Sequence, residues 1–221
     1  FALYIEYLFG LVASVLIARA LLPADMGVYS LLVWVAANAI VVANAGITLG
    51  AIKFIAELRG SGRDDLTAVL VRRLRSMQTT LLLVVIVVLG VIFAFARDRI
   101  APGVDLWLLG LLILSVALRA PYMFNIAVLK GAQDFRSTAV VAVVGASFNL
   151  ALVVLAWAKA ATLPMFVTIY VVSSLVFYVV SQWRASRFAR LDTGNTEILA
   201  PETETLMRHH LRAAAFTTGF G

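Results

Sequence analysis

Two charged residues fall inside long apolar stretches and are the first candidates for chemistry: Glu6 and Arg119. A charge at the centre of a membrane span costs about 2.5–3.5 kcal/mol or more, so it needs a partner, an aqueous cavity or a route to the interface. At 1.5 Å per residue, Arg119 lies roughly 20 Å and Glu6 roughly 24 Å below the same membrane surface. Their similar depth leaves two readings open. They form a structural ion pair or snorkel to the nearer interface, or they face a water-filled cavity, where Arg119 would attract an anionic substrate. Ser115, Arg119 and Tyr122 share one helical face, so a polar stripe must turn away from lipid. Pro121 frees the carbonyl of Ala117 and can kink the helix there.

The other polar residues read as structural. Arg19 and Asp25 bracket a turn, and Lys53 and Glu57 are an i,i+4 pair on an extension of the second helix that also carries Arg59. Asn38, Asn44, Asn125 and Asn149 read as buried amides bonding across helices. Asp64 and Asp65 are adjacent carboxylates in a loop. His209 and His210 are neighbours and not the i,i+4 pair that a helix uses to hold a metal. There is no cysteine, so no thiolate nucleophile and no cysteine-ligated metal. No phosphate-binding loop and no Ser-His-Asp set can be assembled. The expectation is a protein that is not an enzyme and uses no cofactor or metal.

The elements that hold these residues follow from composition. Of 221 residues 62% are hydrophobic and 14% charged, and the mean hydropathy is +0.99. A soluble domain has roughly 45–50% apolar and about 25% charged residues. So much apolar surface requires lipid as the solvent. A helix crosses a bilayer core of about 30 Å with roughly 20 residues. Six stretches suffice: 1–22, 27–46, 78–96, 106–129, 137–158 and 163–183, with a seventh opening near Leu211. They are apolar on all faces, which excludes the alternation of barrel strands. Pro23, Pro102, Pro164 and Pro201 sit between spans or at their starts, and Trp107, Trp157 and Trp183 mark span ends.

The charge of +6 belongs to topology, not to nucleic acid. Arg19, Arg97, Arg99 and Lys159 lie on one side of the six spans, Arg119 within one, and every other Lys and Arg on the opposite side. That basic side is expected in the cytoplasm, with both ends of the segment. Residues 60–75 read as a turn and the start of a basic amphipathic helix, able to rest on anionic headgroups. The expected organisation is a six-helix transmembrane lobe over 1–190, a cytoplasmic linker over 191–210 and the start of a seventh span over 211–221. The segment is expected to belong to a longer chain.

ARALLPADMGVYSLL, NAGITLGAIKFIAELRGSG and LKGAQDFRSTAVVAVVGASFNLALVVL resemble the polysaccharide (O-antigen, Wzx-type) flippases of the MOP superfamily, which also holds the MATE drug exporters. The resemblance implies an all-α membrane protein, here the N-lobe of a MOP/MATE-like transporter, whose C-terminal lobe completes a central cavity. It implies alternating-access flipping of a polyprenyl-pyrophosphate-linked oligosaccharide across the inner cell membrane, in the synthesis of O-antigen or lipopolysaccharide. By motif position it makes Arg19 and Lys53 cavity cations. Arg119 has no such match and rests on its depth alone. The expected partners are the lipid-linked oligosaccharide, membrane lipids and the C-terminal lobe. A MATE-like cation-coupled drug exporter would want more carboxylates than Glu6 in these spans. A membrane-embedded glycan polymerase or transferase would want a large outer loop.

Overall fold

The computed structural model describes residues 2–100 and 104–189, with all described elements helical. In chain order these are α1 (Ala2–Ala20), α2 (Pro23–Asn44), α3 (Ile47–Gly60), α4 (Asp65–Ile100), α5 (Leu106–Gly131), α6 (Phe135–Ala158) and α7 (Leu163–Ala189). Local chemistry sets several boundaries. Pro23 opens α2, where its missing N–H leaves no bond unmade. The Asp134 carboxylate caps α6 by accepting from the Ser137 N–H at 3.0 Å. α5 runs through Pro121 as one helix.

Five helices are long and apolar enough to cross a membrane: Pro23–Asn44, Leu66–Phe95, Leu106–Gly131, Phe135–Ala158 and Leu163–Phe188. The chain is a multi-pass membrane protein. The expected first span corresponds to α1, which is not among these five. The expected linker over 191–210, the span from 211, and His209 and His210 lie outside the described residues.

One expectation is corrected. Lys53, Glu57 and Arg59 do not extend the second span, because the helix stops at Asn44 and restarts at Ile47. Gly46 takes φ 72°, a left-handed conformation that turns the chain out of α2, and α3 begins from it. Residues 60–75 hold the expected turn and helix start, and that helix runs on unbroken into the span, since α4 is continuous for 36 residues. At 1.5 Å per residue it is about 54 Å long and overruns the bilayer core. Leu66, Leu70, Val71 and Leu74 of its first turns are buried against protein.

α5 is the centre of the bundle and packs against α2, α3, α4, α6 and α7, while α1 lies mainly on α6 and barely touches its neighbour α2. The apolar core has two parts. One joins α1, α2, α4, α5, α6 and α7 through residues such as Ile17, Ala36, Val116, Val153 and Phe166. The other joins α3, the first turns of α4, and the last turns of α5 and α7 through Ile55, Leu74, Phe124 and Phe188. Along α5 the first ends at Ala120 and the second starts at Tyr122. Arg119 and Pro121 stand at this seam.

Candidate functional site

Arg119 leaves α5 towards α7. Its Nε donates to Ser174 Oγ at 3.0 Å, and Ser174 Oγ in turn donates to the Tyr170 carbonyl at 2.7 Å. The guanidinium lies 4.5 Å from the Tyr170 ring centroid and 5.5 Å from that of Phe177. Cation–π contacts of this kind contribute about 0.5–2 kcal/mol. The aromatic pair and one hydroxyl thus fix the side chain by one nitrogen and the ring faces. Among the described residues, its two terminal nitrogens meet no acceptor.

The half-buried guanidinium lines an open cavity of about 460 Å³ between α1, α5, α6 and α7, with Glu6, Ser14, Tyr122, Asn149 and Phe177 among its walls. The wall is positioned by close packing. Phe177 sits directly over Gly145 of α6, where a Cβ would run into the ring. Tyr122 leans on Phe177 with centroids 5.0 Å apart. Asn149 Oδ1 accepts from Ser173 Oγ at 2.9 Å and ties α6 to α7 beside the cavity.

Glu6 and Arg119, matched in depth by sequence, therefore share a cavity with Tyr122. They are not a direct ion pair: no oxygen of Glu6 lies within 4.0 Å of a nitrogen of Arg119. The field of Arg119 reaches the Glu6 carboxylate, and so does that of Lys130 from the end of α5. Arg19 and Lys53 do not line this cavity. Arg19 is exposed in the last turn of α1. Lys53 is exposed on α3, its Nζ 5.5 Å from the ring of Phe54. Ser115 is buried, donates to the Leu112 carbonyl at 2.7 Å, and faces a separate narrow crevice with Tyr29 and Tyr170.

The amides divide. Asn125 and Asn149 bond across helices as expected. Asn44 is buried but donates within its own helix to Ile40, leaving Oδ1 without a partner. Asn38 is exposed and donates to the Trp34 carbonyl of its own helix. That departs from the buried, cross-helix role expected of it.

Sequence reasoning missed Arg75, counted there as one of many loop cations. Its Nη1 donates to Gln182 Oε1 and its Nη2 to Asn125 Oδ1, both at 2.8 Å. Asn125 Nδ2 donates onward to Ser181 Oγ at 3.1 Å and Gln182 Oε1 at 3.0 Å. The guanidinium lies 5.4 Å from the Phe124 centroid. The signal was helical spacing: Val71, Arg75 and Gln78 share a face, and both flanking residues are buried.

At the same end, Arg59 pairs with Asp64 at 3.1 Å, donates to the Ala132 carbonyl and lies over the Phe188 ring. It thereby fastens α3 to the α5–α6 turn and to α7. Burial pushes the Asp134 carboxyl up, but its hydrogen bonds from Ser137, with the charges of Arg187 and Arg184, outweigh this. Its pKa lies below the ordinary value.

Among the described residues no three His, Asp or Glu gather as metal ligands would. What the cavity offers chemically is a guanidinium with unspent N–H donors, flanked by aromatic rings and hydroxyls, facing one carboxylate. Such a fork suits an anionic oxygen group. No protein-family model, characterised protein or solved structure matches the chain.

Proposed function

We propose that this chain is the N-terminal lobe of a flippase that moves a polyprenyl-pyrophosphate-linked oligosaccharide from the cytoplasmic to the outer leaflet of the inner membrane. On this reading α1 is the sixth span, the basic end is cytoplasmic, and a second lobe faces the cavity. The observation that carries the reading is the Arg119 guanidinium, held on one side by Ser174, Tyr170 and Phe177 and open to the cavity on the other. The cavity volume of about 460 Å³ falls within the roughly 300–1,000 Å³ of small-ligand sites. It suits a pyrophosphate with its first sugar, while the prenyl tail stays in lipid. The sequence resemblance supplies the substrate class. Arg19 and Lys53 belong in this reading to a surface towards the second lobe.

The test uses the full-length protein. Arg119→Ala abolishes glycan export at unchanged membrane abundance, and Arg119→Lys keeps part of it, since the charge survives and the fork does not. Loss of abundance in Arg119→Ala, with export restored when Glu6 is also made apolar, sinks the substrate role.

Glu6 on the same cavity wall favours a second reading, a cation-coupled exporter of cationic drugs. There Glu6→Gln abolishes efflux of a cationic dye and Arg119→Ala spares it.

A further inference from the structure

Away from the Arg119 cavity, the start of α6 and the end of α7 bring aromatic rings and arginines together at the surface. Trp183 is 68% and Phe135 66% exposed, far more than a core role allows. Rings at span ends occupy the headgroup level of a bilayer. The Arg184 guanidinium lies 4.7 Å from the Trp183 ring centroid. Arg187 Nη1 stands 3.6 Å from Asp134 Oδ2, tying α7 to the cap of α6. Arg136 follows Phe135 and is exposed.

Charge and hydrogen bonding in this cluster do not balance. Asp134 is its one carboxylate, and both oxygens are taken, Oδ1 by the Ser137 N–H and Oδ2 by Arg187. Arg184, Arg187 and Arg136 together carry more positive charge than this one carboxylate offsets. The Arg184 Nε is buried and donates to nothing. That nitrogen is shielded by the chain, while the terminal nitrogens of Arg184 make no hydrogen bond among the described residues, so an anionic oxygen outside the chain would gain charge-assisted bonds from them. The donors require an anionic oxygen, and the exposed rings require acyl or glycerol surface beside it.

The geometry points to a binding site for the headgroup of an anionic phospholipid. Its phosphate accepts from Arg184 and Arg136, and its glycerol and upper acyl carbons lie against Trp183 and Phe135. The site shares no residue with the transport cavity and does not depend on what that cavity carries.

The test places the full chain in phosphatidylcholine nanodiscs and adds phosphatidylglycerol. Unfolding temperature and lipid retained in native mass spectrometry are read together. Phosphatidylglycerol is expected to be retained and to raise the unfolding temperature. Arg184→Gln weakens its apparent affinity about fivefold, the loss of one cation near a charged surface. Trp183→Leu weakens it as well. Arg63→Gln, the same charge change on the exposed α3–α4 turn, leaves it unchanged. If Arg184→Gln fails to fold, Arg184→Lys keeps the charge without the planar fork and should still bind more weakly. Equal retention of phosphatidylcholine, an equal shift with inorganic phosphate alone, equal weakening by Arg63→Gln, or full affinity in a folded Arg184 variant each overturns the proposal.

Discussion

Asp134 shows how single residues set an end of this bundle. Its carboxylate does two things at once: it satisfies an orphan N–H at the start of α6, and it holds Arg187 from α7. Partial burial disfavours the charge, yet the hydrogen bonds and the two arginines win, so the group ionises at lower pH in the folded chain than in the unfolded one. The sign follows. Its contribution to stability is complete above the ordinary carboxylate range and fades as pH falls through the lowered folded value. Asp134→Ala should lose about 1 kcal/mol at neutral pH, the usual cost of a lost N-cap. The gap to the unmodified protein should close in acid. Thermal unfolding in detergent at several pH values measures it, and a gap that persists unchanged into acid would place the effect elsewhere. Arg119 shows the complementary case. Depth along the helix gave its level and that of Glu6, but spacing along one helix carries no information about Tyr170 and Ser174, which come from another.

At the scale of elements, long apolar runs and proline placement made most helices readable in advance. The break between α2 and α3 was not readable, because NAGITLGAIK stays apolar across it and only the left-handed Gly46 interrupts the backbone. The unbroken run of α4 was likewise hidden, since its composition shifts from basic first turns to an apolar span, while one face of those first turns packs on other helices. Arg75 joins three of these helices through amides alone. In membranes such bonds contribute about 0.6–1.7 kcal/mol each, and leaving the amide oxygens bare adds the cost of unmet acceptors. Arg75→Leu should therefore lower the unfolding temperature and membrane abundance. Replacing Arg75, Asn125 and Gln182 together by leucine should recover much of the loss, because no polar atom is then stranded. A triple variant less stable than the single one would show that the network does more than satisfy itself.

The whole molecule is polarised. One end carries Lys53, Arg59, Arg63, Arg72, Arg73, Arg75, Lys130, Arg136, Arg184 and Arg187, and the other Arg19, Arg97, Arg99 and Lys159, among the described residues. Short turns between the long apolar helices alternate their direction, so the α3–α4 turn and the α6–α7 turn lie at opposite ends. If lysine and arginine bias set the orientation, the α3–α4 turn is cytoplasmic. The chain has no cysteine, so single cysteines report cleanly. Gly62 and Ala160 are exposed, and both sit in turns with positive φ, at 73° and 49°. Cysteine at Ala160 should react with a membrane-impermeant maleimide on intact cells, and cysteine at Gly62 only after the membrane is opened. Two further positions guard against strain from the left-handed backbone: Lys159 beside the first and Arg63 beside the second should give the same pattern. Labelling of both ends from outside would mean an even number of crossings between them. The three helices α4 to α6 would then no longer run as three spans from the Gly62 turn to the Ala160 turn. The reverse pattern would keep the bundle and invert it, moving the opening of the Arg119 cavity to face the other leaflet.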